Sequence, residues 1–98
     1  MSYIVGQVVV FTGTFRDADG DLVDPTVVTL YVQTPDLAEA PYVYNTDPGM
    51  IRDSVGVYHK DYELLTKGVY FWRWDADGSG EGADEGYIFV KRSQFVLP

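Results

Sequence analysis

The stretch "GVYFWRWDADG", Gly68 to Gly78, places Tyr70, Phe71, Trp72 and Trp74 within seven residues and then breaks into acid and glycine. Successive side chains of a β-strand point to opposite faces. An extended Gly68 to Asp75 therefore sends Tyr70, Trp72 and Trp74 one way and Val69, Phe71 and Arg73 the other. Three large rings on one side make that side a core face, because each ring removes a large apolar area from water. The acids and glycines that follow, "DGSGEG", read as a loose hairpin loop into a last strand from about Asp84 to Arg92. In that strand Ile88 and Val90 face inward, and Tyr87 and Phe89 face outward.

The same alternation extends toward the N-terminus. A strand from about Gln7 to Arg16 sets Val9, Phe11, Gly13 and Phe15 against Val8, Val10, Thr12 and Thr14. "DADGD" then turns the chain, with Gly20 free to take positive φ, and Asp24-Pro25 launches the next strand. From Thr26 to Gln33, Val28, Leu30 and Val32 share one face, and Val27, Thr29 and Tyr31 the other. Tyr42 to Asn45 forms a shorter strand that stops at the turn sequence "TDPG". "MIRDS" and "GVYHKDYEL" read either as one strand interrupted near Ser54 or as two short ones. Lys60 falls on the core side of this region, so it snorkels at a sheet edge or a bulge near Gly56 shifts the register.

Helical periodicity is nearly absent, and six or seven strands with no helix to cross between parallel neighbours imply antiparallel pairing in two layers. "LLTKGVY", Leu64 to Tyr70, resembles the tyrosine corner of immunoglobulin-like sandwiches, in which a tyrosine hydroxyl at the start of a late strand bonds to upstream backbone. The cysteine pair and third-strand tryptophan of antibody domains are missing, so the likeness is one of shape. The expected fold is all-β: one antiparallel two-sheet immunoglobulin-like sandwich of about seven strands, a single domain over residues 1–98.

In such a topology the second strand, the aromatic strand and the last strand are neighbours in one sheet. Tyr31, Phe71, Arg73, Tyr87 and Phe89 would then form a contiguous patch on its outer face, of composition suited to docking a protein partner. The competing reading is that the tail "SQFVLP" or an early loop covers these rings, or that they only pair across strands.

Composition narrows the remaining classes. With 15 acidic against 7 basic side chains the formal charge is -8, which repels nucleic acid over most of the surface. The acids cluster at Asp17, Asp19, Asp21 and Asp24, and again at Asp75, Asp77, Glu81, Asp84 and Glu85, both read as solvated turns. No cysteine is present to supply disulfides or thiolate metal sites. The N-terminus lacks the pattern of a secretory signal, and no apolar run approaches the roughly 18 residues of a membrane span, so no membrane partner is expected. "DADGD" imitates the start of a calcium loop, but Leu22 and Val28 stand where glycine and glutamate are required. His59 is the only histidine and reads as a surface residue. No catalytic residues, cofactor or metal site can be nominated, and no enzymatic activity is expected.

Nearly the whole chain, Gly6 to Phe95, looks like a group of small tailed-bacteriophage proteins encoded among structural genes. The matching stretches are, in order, "TFRDADGDLVDP", "VTLYVQTPD", "IRDSVGVYHKD", "KGVYFWRWDADG" and "EGYIFVKRSQF". The resemblance implies a non-enzymatic virion component of immunoglobulin-like fold, made in the host bacterial cytoplasm and placed in the head, neck or tail. Its implied partners are capsid, head-tail connector or tail subunits, met in multiple symmetric copies. It supplies no established functional residues. A carbohydrate-binding or cell-surface adhesion module, with the same rings stacked on sugars, is the alternative.

Overall fold

A computed structural model describes residues 2–77 and 83–92 of the chain. Eight strands follow one another: β1 (Ser2–Ile4), β2 (Val8–Thr14), β3 (Val27–Gln33), β4 (Glu39–Val43), β5 (Met50–Ser54), β6 (Val57–Glu63), β7 (Gly68–Asp77) and β8 (Ala83–Lys91). They form a five-stranded sheet in the order β1-β8-β7-β3-β4 facing a three-stranded sheet in the order β2-β6-β5. The architecture is an all-β, two-sheet immunoglobulin-like sandwich. β3, β7 and β8 are neighbours, as the sequence implied.

The inner faces follow the alternation read from the sequence. Val9, Phe11 and Phe15 from the β2 arm meet Val28, Leu30, Val32, Tyr70, Trp74, Ile88 and Val90, all buried. Tyr58 of β6, Met50 of β5 and Leu64 close the core. Rings meet edge to face: Phe15 lies 5.8 Å from Tyr58 and 6.2 Å from Trp74. Such aromatic pairs each add about 0.5–1.5 kcal/mol beyond their area. The expected corner is present, with the Tyr70 hydroxyl donating to Thr66 O at 3.0 Å and accepting from Thr66 N–H at 3.1 Å.

Several expectations need correction. The described residues form eight strands, in keeping with the expected count of about seven, but the pairing is not wholly antiparallel, because β1 runs parallel to β8 through Ser2↔Phe89 to Ile4↔Lys91. Three residues are too few to show alternation, and a parallel pair between the two ends of the chain needs no helical crossover, since the whole sandwich connects them. The third sequence-predicted strand, Tyr42 to Asn45, begins earlier as β4 and ends at Val43, where Asn45 takes φ 75° in the turn. "MIRDS" and "GVYHKDYEL" resolve into two antiparallel strands, with a register irregularity between Arg52 and Ser54.

Lys60 lies on the central strand of the small sheet rather than at an edge. Its inward stem carries the ammonium 4.5 Å over the Tyr42 ring and 3.4 Å from Asp47 Oδ1, so a side chain only 12% exposed still meets π-electrons and a carboxylate. Trp72 points inward yet is only half-buried, 6.0 Å from Phe11. It stands where the three-stranded sheet stops short of the five-stranded one.

Asp24 is exposed, as expected of the acid cluster, but it also has a structural role. Its carboxylate accepts hydrogen bonds from Arg52 Nη2 (2.9 Å), Gly56 N–H (2.9 Å) and the Tyr58 hydroxyl (3.0 Å), tying the β2–β3 connection to the β5–β6 hairpin. Asp17 is likewise engaged in its own turn, where it accepts from Asp19 N–H and Asp21 N–H. The "DGSGEG" loop beyond Asp77 and the tail from Ser93 lie outside the described residues.

Candidate functional site: the outer face of the five-stranded sheet

The outer face is built by the odd-numbered residues of β7 and their cross-strand partners. Antiparallel register sets Phe71 opposite Tyr87, Val69 opposite Phe89, Arg73 opposite Glu85, and Tyr31 opposite Arg73. Phe71 is 47% exposed, Phe89 48% and Tyr87 68%, while Tyr31 is half-buried between its neighbours. The Phe71 and Tyr87 rings sit 6.2 Å apart and are inclined at 49°. All five sequence-predicted residues therefore share one face. Their rings pair across strands yet stay open to solvent, so pairing and exposure coexist.

The register also brings in residues that sequence reasoning passed over. Arg73 Nε donates to Asp75 Oδ1 at 2.9 Å, and Arg73 Nη1 lies 3.8 Å from Glu85 Oε1. The Asp75 carboxylate, with help from Glu85, holds the guanidinium pKa above its ordinary value. Beside Phe71 a shallow depression of about 330 Å3 is lined by Tyr31, Gln33, Glu39, Arg73 and Glu85 among others. The β7 and β8 acids were legible, since Asp75 and Glu85 carry the same odd parity as Phe71 and Tyr87. Glu39 was not, because its place depends on β4 beginning three residues before the predicted strand.

The face is thus an aromatic strip with Arg73 beside it, rimmed by carboxylates. It can bury apolar area and exchange charged hydrogen bonds. No group of three or more His, Asp or Glu side chains suited to a metal ion occurs among the described residues. His59 projects from the opposite sheet, half-buried, with Nδ1 2.7 Å from Asp53 Oδ2, and has no spatial relation to this face.

Comparison with known proteins bears on the fold. No protein-family model matches the chain. No curated protein matches it either. Among solved structures, the chain is similar to the filamin domain of Lin-41, at 21% identity and a TM-score of 0.70, covering 94% of this chain and 84% of that one. At that identity the likeness speaks to architecture, and it agrees with the immunoglobulin-like sandwich described above.

Proposed function

We propose that this chain is a non-enzymatic structural module of a tailed-bacteriophage virion, docking onto capsid, connector or tail subunits through the outer face of its five-stranded sheet. The observation that carries the docking face is the contiguity of Phe71, Tyr87 and Phe89, about half exposed or more, on adjacent strands with Arg73 beside them. Exposed apolar strips of this kind meet partners, and aromatic and arginine side chains concentrate where binding energy is highest. The virion setting is supported by the five ordered stretches that resemble phage structural proteins. Repetition on a symmetric particle lets each module bind modestly and still remain attached.

The experiment is to propagate the source phage, purify particles on a density gradient and probe them for this protein. It is expected in the particle band at a fixed ratio to the capsid subunit, and a Phe71→Ala/Tyr87→Ala variant supplied in trans is expected to stay in the soluble fraction. Absence of the wild-type chain from the particles removes the virion reading.

A second reading, sugar binding by the same face, draws on the depression beside Phe71, where Gln33, Glu39 and Arg73 supply polar groups next to rings. Glycan-array binding that disappears with Tyr87→Ala would select it.

A further inference from the structure

Three of the four sheet edges are blunted. β4 contains Pro41, β5 carries Arg52 and Asp53 and loses register there, and β1 has only three residues. Such features keep exposed strands from pairing with other chains. β2 has none of them. Val8–Thr14, "VVVFTGT", is seven uncharged residues long, keeps regular register with β6 throughout, and has no strand on its other side among the described residues.

The larger sheet continues past this free edge. β2 sits over β7, since Phe11 lies 6.0 Å from Trp72 and the Gly13 backbone rests against Trp74. β8 and β1 come next in the larger sheet, and the smaller sheet has no further strand to lie above them among the described residues, although Ile88 and Val90 of β8 are themselves buried. The outcome is a cleft of about 300 Å3 along β2, with Tyr3, Trp72 and Ile88 on one side and Val9, Phe11 and Thr12 on the other. Trp72 lines this cleft and is half-buried.

We infer that the cleft is a strand-addition site for a partner protein. A single extended segment pairs with Val8–Thr14, its apolar residues alternating toward Trp72 and Ile88 and its lysines or arginines on the other side. Sheet edges supply affinity through main-chain hydrogen bonds, and pockets beneath them select alternate side chains. A second copy of this sandwich fits less well: pairing antiparallel through its own β2 would bring its projecting β8 and β1 into the space these strands already fill.

Charge sets the other half of the preference. Register places Glu63 opposite Val8 and Asp61 opposite Val10, both acids exposed on the outer side of the small sheet. An added strand lies two strand spacings, about 10 Å, from them, within reach of a lysine or arginine side chain. The formal charge of -8 also speeds the approach of a cationic segment. This surface lies apart from the outer face proposed for docking, so either can fail alone.

The test uses an acetylated, amidated peptide of alternating lysine and valine, seven residues long, titrated into the 15N-labelled full chain. Its control is N-methylated at alternate residues, in both phases. Amide shifts are expected along Val8–Thr14 together with the Trp72 indole; the peptide N-methylated on the amides that face β2 is expected to bind at least tenfold more weakly, whereas the peptide of the other phase, whose methyl groups point away from β2, is expected to keep most of its affinity. Asp61→Lys/Glu63→Lys, two exposed changes that leave the core alone, is expected to weaken binding about tenfold through lost charge attraction. No binding at roughly 1 mM peptide, corresponding to about 4 kcal/mol, overturns the inference. So does indifference to N-methylation, a footprint on Phe71 and Tyr87, or binding that emerges only when residues 93–98 are deleted, which would make this chain's own end the occupant.

Discussion

Asp24 shows how one carboxylate can fasten two hairpins. The hydrogen bonds from Arg52 and from the Gly56 N–H favour its ionised form and pull its pKa down to about 2. A lowered carboxyl pKa adds stability that is complete above the ordinary value of 3.8 and is lost as pH falls toward 2. Asp24→Asn keeps the shape but cannot ionise, so its melting temperature should be lower at neutral pH and should fall less steeply between pH 4 and pH 2 than that of the wild type, as thermal denaturation at several pH values will show. Tyr58 gives the complementary limb. Burial first, then the bond to Asp24, pushes its hydroxyl up to about 12, and burial does the same for Tyr62. Stability from these groups is intact below the ordinary pKa of 10 and declines as pH rises toward 12, a loss that Tyr58→Phe should reduce in alkaline titrations. Tyr70 acts through geometry. Tyr70→Phe removes both bonds to Thr66 and should cost about 0.5–1.5 kcal/mol in urea unfolding, since the bonds are part-buried and the exposed Thr66 backbone can turn to water. The tyrosine corner was legible because leucine, glycine and tyrosine mark it within one short stretch. Asp24 was hidden because its partners are 28 to 34 residues away and an aspartate before proline reads as an ordinary turn.

At the scale of elements, parity carried most of the information. Odd and even positions of β2, β3, β7 and β8 separate core from surface, and this alternation alone puts the five residues of the outer face on one side. What parity could not supply was pairing at the margins. β1 is too short to alternate, and the start of β4 holds Glu39, Ala40 and Pro41, none of which announces a strand. Pro41 is tolerated because β4 is an edge strand, with only β3 beside it. Nor could parity say that Trp72, inward by register, would lack a roof. Gly13 illustrates how closely the sheets approach where the roof exists. A Cβ built on it would stand 2.6 Å from Trp74 Cδ2, too near for a carbon contact, and Trp74 is itself fully enclosed. Gly13→Ala must therefore push the indole or bow β2, at a cost of about 1–3 kcal/mol typical of overpacked cores. Chemical denaturation will measure the loss. Near-ultraviolet circular dichroism should report a changed Trp74 environment, whereas Gly20→Ala in the exposed turn should leave that signal alone.

For the whole molecule, the balance of 15 acids against 7 bases means that like charges dominate any long-range sum. Three of the seven basic side chains are paired locally with carboxylates. Arg52 pairs with Asp24, Lys60 with Asp47, and Arg73 with Asp75 and Glu85. The exposed pairs of Arg52 and Arg73 contribute about 0–1 kcal/mol each and the part-buried pair of Lys60 is screened less, so salt removes little of either. Screening the surplus of carboxylates relieves repulsion spread across the entire surface. The melting temperature should accordingly rise as sodium chloride increases from about 10 mM, where the Debye length is roughly 30 Å, to about 1 M, where it is roughly 3 Å. Association through the β2 edge should respond in the opposite direction, because attraction between the acidic surface and a cationic strand is what salt weakens. Docking through the outer face, where apolar rings supply most of the area, should depend on salt far less. Calorimetric melting and peptide titration across one salt series thus separate the three terms: global repulsion, edge attraction and apolar burial. A melting temperature that fell with salt would mean that the local ion pairs, rather than the excess of acids, govern the stability of this sandwich.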